Sequence, residues 1–129
     1  MKQAELGHLE STLMDILWRD GEMSVKALCE RLERPLAYTT VMTTLDRLYK
    51  KGLLARRKRD RAFVYAPRVS FREWIRKRAG ELLRVLRSDR QATEEMVASS
   101  LVDALGKHDK KLLDELERQI AARRKDWQQ

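Results

Sequence analysis

With 129 residues, 43% of them apolar, a net charge of +8 and one cysteine, the chain suffices for one small domain with an appendage, or for two very small units. It contains no run of about eighteen apolar residues, and Glu5, His8 and Glu10 interrupt its start, so neither a membrane span nor a secretion leader is expected. A lone cysteine excludes an intramolecular disulfide and suits a reducing cytoplasm, the expected location.

Leu9, Leu13, Ile16 and Leu17, with Met14 and Trp18 alongside, predict a helix from about residue 8 to Arg19, stopped at Asp20-Gly21. Met23 is placed to make a brief strand contact, and Ser24 to cap a second helix with Val25, Leu28, Cys29 and Leu32 inward. On that apolar stripe Cys29 reads as a small core residue rather than a reactive thiol. Arg34-Pro35-Leu36 supplies the turn into residues 37–52.

That next stretch is the most informative in the chain. At helical spacing Val41, Leu45, Leu48 and Gly52 share one side, with Met42 and Tyr49 beside them, while Thr40, Thr43, Arg47 and Lys50 share the other. An ordinary free face carries glutamate and lysine, whereas Thr39, Thr40, Thr43 and Thr44 each cost helix propensity by roughly half a kcal/mol relative to alanine. Short hydroxyl side chains followed by an arginine suit the floor of a DNA groove, where threonine meets phosphate or a thymine methyl and arginine grips guanine or phosphate.

Residues 53–67 then read as two short strands joined at a charged tip, with Phe63 and Tyr65 alternating with Val64 and Pro67 ending the second arm. Helix, glycine and basic hairpin is the order of a winged helix-turn-helix. Charge points the same way. Residues 47–69 carry a net +8, against −3 before them and +3 after them; a nucleic-acid binder concentrates its excess where phosphates lie.

Downstream, Ser70 and Glu73 form a capping box opening a helix with Trp74, Ile75, Leu82, Leu83 and Leu86 that runs to about Arg87. A further helix around residues 94–105 offers Met96, Val97, Leu101 and Leu105. After Gly106, Asp109 is placed to cap a last helix striped with Leu112, Leu113, Leu116, Ile120 and Trp127. Three slender stripes make a poor core alone, so pairing of two copies is expected, with Leu82, Leu86, Met96, Leu101, Leu105, Leu113, Leu116 and Ile120 at the dimer interface. The expected fold class is mainly α: an N-terminal winged helix-turn-helix with a small β-hairpin wing over residues 1–69, plus a C-terminal helical dimerisation region over 70–129.

The chain resembles the BlaI/MecI/CopY (penicillinase repressor) family of bacterial winged-helix transcription factors. The resemblance is carried by Leu6-Gly7, Glu10, Met14-Asp15-Ile16-Leu17-Trp18, Ala37-Tyr38-Thr39-Thr40-Val41-Met42-Thr43-Thr44-Leu45-Asp46-Arg47-Leu48, Lys51-Gly52-Leu53 and Arg61-Ala62-Phe63-Val64-Tyr65. It implies a homodimeric repressor on a palindromic operator with TACA/TGTA-type half-sites. By position, Thr40, Thr43, Thr44 and Arg47 would face bases or nearby phosphates. Tyr38, Thr39 and Lys50 would hold the backbone, as would the wing residues Lys58, Arg59 and Arg61.

The resemblance also implies a regulatory partner. In the penicillinase branch a membrane zinc metalloprotease sensor triggers cleavage at an Asn-Phe bond; here the corresponding place is Ser100-Leu101, which lacks both the asparagine and the aromatic. A partner protease of altered preference stays open. The copper branch binds metal through paired Cys-x-Cys motifs, excluded by Cys29 being the only cysteine.

No Gly-rich phosphate loop, nucleophile beside a histidine or carboxylate–histidine metal spacing is present, so no enzyme, cofactor, metal or small-molecule substrate is expected. His8 and His108 stand alone, and Asp46 and Asp60 read as charge partners of neighbouring cations. The rival reading is a winged-helix module that binds protein within a larger complex, which would not require threonines and arginines on the free helix face.

Overall fold

The structure, a computed structural model, describes residues 6–106 and 108–128. Its elements are α1 (His8–Asp20), β1 (Met23–Ser24), α2 (Val25–Arg31), α3 (Tyr38–Lys50), β2 (Leu54–Arg59), β3 (Ala62–Pro67), α4 (Phe71–Leu86), α5 (Glu94–Leu105) and α6 (Lys110–Trp127). The chain divides into two compact units, one ending at Glu81 and one beginning at Leu82. Helix α4 starts just past the expected boundary at 69/70, and the compact units part inside that helix. The reason is Trp74, which is buried with the apolar residues of the first unit.

In the first unit, Leu13, Met14 and Leu17 of α1, Leu28 of α2 and Val41, Leu45 and Leu48 of α3 form one core with Leu54 and Tyr65 of the sheet. Each helix contributes residues three and four apart, so burial of one stripe holds the bundle while the outer faces stay wet. The sheet is antiparallel with order β1-β3-β2; Met23 pairs with Tyr65 and Ser24 with Val64, so the brief strand expected at Met23 forms. Val64 and Tyr65 are both buried, which departs from a simple in–out alternation along β3. As the central strand, β3 is flanked on both edges. The Trp18 indole N–H donates to the Val69 carbonyl over 2.9 Å and its ring lies edge-on to Phe71 at 5.1 Å, fixing the chain as it enters α4.

The helix ends follow local chemistry. The Ser24 hydroxyl accepts from the Ala27 N–H, and Ser70 and Glu73 bond reciprocally as expected of a capping box. Asp109 occupies the N-cap of α6 but makes no side-chain cap bond. Thr93 caps α5 by accepting from the Met96 N–H, a cap absent from the sequence reading. Helix α3 ends in a Schellman motif: Leu53 N–H donates to the Leu48 carbonyl and Gly52 N–H to the Tyr49 carbonyl, with Gly52 at φ +83°.

Glu10 ties two distant ends of this unit together. Its carboxylate accepts from the Gly7 N–H at 2.9 Å and from the Lys51 ammonium at 2.8 Å, while the residue is only 9% exposed. Burial alone would raise its pKa, but the Lys51 and Gly7 bonds and the charges of Lys51 and Arg47 outweigh it and hold the carboxyl below its ordinary 4.5. A depressed carboxyl adds stability that is complete above the unfolded value and is lost as pH falls through the lower folded value. Glu10→Gln should therefore cost about 1–3 kcal/mol at neutral pH. Thermal melts should show the variant and parent converging on acidification; a constant gap at all pH values would deny the pair this role.

The second unit contains the end of α4, then α5 and α6, and no residue of α5 or α6 is buried. Many large apolar side chains face outward, from Leu101 at 37% exposure to Trp127 at 74%, while Leu86, Val97, Leu105 and Leu113 are half-buried. Among the described residues no helix is long and apolar enough to cross a membrane.

Candidate nucleic-acid interface

The outward side of α3 is set by what its inner side must bury. With Val41, Leu45 and Leu48 fully buried, Thr39, Thr40, Thr43 and Arg47 emerge opposite, and they line one open depression with the edge of Thr44. Tyr38 and Lys50 are exposed at the two ends of the helix. Thr44 departs from the expectation that it faces bases. It lies on the 41/44/45/48 stripe, is 6% exposed, and its hydroxyl donates to the Thr40 carbonyl at 2.8 Å. Its hydroxyl hydrogen is thus committed to the helix itself, leaving Thr39, Thr40 and Thr43 as the hydroxyls open to a ligand.

Eight of the nine cations of residues 47–69, all but Arg68, fall into two groups. Lys51 pairs with Glu10, Arg57 with Glu22 across 2.8 Å, and Lys50 and Arg56 both with Asp46 at 3.0 Å. Asp46 therefore acts as a charge partner as expected, and the Lys50 bond foremost, with Arg56, holds its carboxyl below the usual range. Among the described residues no carboxylate lies within ion-pair distance of Arg47, Lys58, Arg59 or Arg61. These four are exposed, one on α3 and three on the wing. Positive charge that the fold itself leaves unneutralised is charge available to phosphates.

The wing tip is a two-residue turn, Asp60-Arg61, with φ of +52° and +70°. Both central residues of a type I′ hairpin need positive φ, which normally selects Asn-Gly. An arginine held there places a cation at the tip at a backbone cost of order 1 kcal/mol or more.

Pleating separates what the sequence presents as one basic run. Leu54 is buried, so Arg56 and Lys58 share its side of β2, while Arg57 and Arg59 lie on the other. The role of Arg56 was not visible from spacing, because its partners Asp46, Tyr49 and Phe63 lie on α3 and β3.

The residues expected at a dimer interface are all on the surface of their elements: Leu82, Met96, Leu101, Leu116 and Ile120 are exposed, and Leu86, Leu105 and Leu113 are half-buried. Ser100 and Leu101 lie inside α5, both exposed. Among the described residues no group of three or more His, Cys, Asp or Glu side chains could hold a metal.

The family model for penicillinase repressors matches residues 6–122. The chain belongs to the penicillinase repressor family. It is 49% identical over 69 residues to the transcriptional regulator BlaI of Mycobacterium tuberculosis, covering 51% of this chain and 50% of that one. It is 28% identical over 76 residues to the penicillinase repressor of Bacillus licheniformis, covering 57% and 59%. The chain thus spans about half to three fifths of the length of the curated relatives it matches. Among solved structures, BpsR of Bordetella bronchiseptica, whose DNA binding is regulated by 6-hydroxynicotinic acid, aligns over 95% of this chain and 79% of its own with a TM-score of 0.50. At 15% identity that likeness is one of fold. The family is one of repressors, not of enzymes, and the fold is the winged helix with three strands and flanking helices that the sequence led us to expect.

Proposed function

We propose that this chain is a sequence-specific DNA-binding transcriptional repressor that acts as a homodimer on a two-fold operator. The observation that carries the reading is the coincidence of open threonines and Arg47 on α3 with unpaired cations at the wing. In this reading α3 enters the major groove, Thr40, Thr43 and Arg47 reach base edges, and Tyr38, Thr39 and Lys50 hold the backbone, with Lys58, Arg59 and Arg61 on neighbouring phosphates. Family membership supports it, as do relatives named as a transcriptional regulator and a penicillinase repressor.

Residues 70–129 then serve the dimer. So much exposed apolar surface on α5 and α6 is better covered by a second copy than by water, and a two-fold pair presents two recognition helices to two half-sites. Relief through a membrane protease would have to open α5, since Ser100–Leu101 lies in mid-helix and a protease needs extended chain. The protein-binding alternative is disfavoured by the unpaired cations, and salt separates the two. Operator binding should weaken steeply with added salt, with log–log slope about −0.9 per phosphate neutralised.

Selection of bound fragments from genomic DNA, followed by salt titration, tests the proposal; salt-insensitive, sequence-blind binding would refute it. Arg59→Ala should weaken cognate and scrambled duplexes alike and reduce the slope by about one. A loss confined to the cognate site would make Arg59 a base reader instead.

A further inference from the structure

Among the described residues Arg56 is the one wing cation that is half-buried rather than exposed. Its guanidinium carbon lies 4.0 Å from the ring centroid of Tyr49 on α3 and 4.3 Å from that of Phe63 on β3. Its Nη1 donates to Asp46 Oδ1 of α3 over 3.0 Å, and its side chain is only 25% exposed. Residue 56 follows buried Leu54 on the inner side of β2, a place where an apolar side chain would pack without desolvating a charge. An arginine there gains orientation instead. A planar fork fixed by one carboxylate and stacked on two rings has few alternatives, so β2 cannot swing or slide against α3 without breaking the Asp46 and Tyr49 contacts, while Phe63 holds the fork from the β3 side.

We propose that Arg56 is a positioning residue that latches the wing to the recognition helix, so that the wing cations and the α3 face meet a duplex at a fixed separation. The proposal rests on the DNA-binding reading given above. Arg56 does not itself touch DNA in this account: it makes the phosphate contacts of Arg59 and Arg61 dependent on, and mutually reinforcing with, the seating of α3.

The test is a double-mutant cycle in the full chain, read by operator affinity across a salt series. Arg56→Met and Arg59→Ala are made singly and together, with Arg56→Lys as a second variant that keeps the charge and stem. If the latch holds, Arg59→Ala weakens binding by a factor at least about threefold smaller in the Arg56→Met background than in the parent. Arg56→Lys should behave like Arg56→Met, because an ammonium supplies no stacking fork. Equal Arg59→Ala factors in both backgrounds, or full recovery by lysine, overturn the latch. Should Arg56→Met fail to fold, the cycle is run with Arg56→Lys, and additivity there overturns the latch equally. Parent protein that binds no duplex defeats the DNA-binding reading itself, an outcome distinct from a parent that binds while the cycle is additive.

Discussion

Arg47→Ala is expected to raise the Kd for the cognate operator about 5- to 150-fold, corresponding to about 1–3 kcal/mol, while changing binding to scrambled duplex far less. Arg47 stands on the open side of α3 beside Thr43 and makes no ion pair among the described residues, so its removal opens no gap in the core and leaves the Glu10 carboxylate paired with Lys51. The fold should therefore melt as before, and the loss can be assigned to the duplex. Competition between cognate and scrambled oligonucleotides in an anisotropy assay measures the difference. Equal losses on both would reduce Arg47 to a phosphate contact.

In the proposed homodimer, Leu116→Asp should separate the two copies. Leu116 is exposed in mid-α6, on a stripe with Leu112, Leu113 and Ile120. A two-fold interface contains every residue twice, so replacing one leucine removes two buried side chains and inserts two charges, a cost of about 3–6 kcal/mol. The dimer dissociation constant should rise by about two to four orders of magnitude. Sedimentation at micromolar concentration reads this directly, and circular dichroism should report unchanged helix content. A monodisperse dimer from this variant would place the interface elsewhere. Operator affinity should fall with it, because a monomer presents one recognition helix rather than two.

Local features were legible in the sequence and cross-chain ones were not. The sequence placed α1 and α5 to within about a residue and α3 to within about two, since burial of one stripe dictates where apolar side chains recur. The Ser24 and Ser70 caps and the Gly52 terminus were readable because their partners lie within a few positions. Glu10–Lys51 and Arg57–Glu22 bridge residues 41 and 35 positions apart, and no local pattern reports such pairs. Helical spacing left Thr44 off the open face; only the family resemblance turned it toward bases or nearby phosphates, whereas position 44 lies beside Val41, Leu45 and Leu48 and is buried. Arg56 was lost in a run of four basic residues that only the pleat of β2 sorts into inward and outward members. The start of α4 was clear from its capping box, but the parting of the units within that helix depended on Trp74 sinking into the first core.

The Asp60-Arg61 turn has a consequence for engineering. Both residues hold a backbone shape that glycine adopts freely, so Arg61 carries a built-in penalty. A directed-evolution campaign scored on heat tolerance alone would favour glycine at this position and discard the guanidinium with the strain. Robustness and grip on a duplex thus pull residue 61 in opposite directions, and any screen of this protein needs both readouts to keep the two from being traded unknowingly.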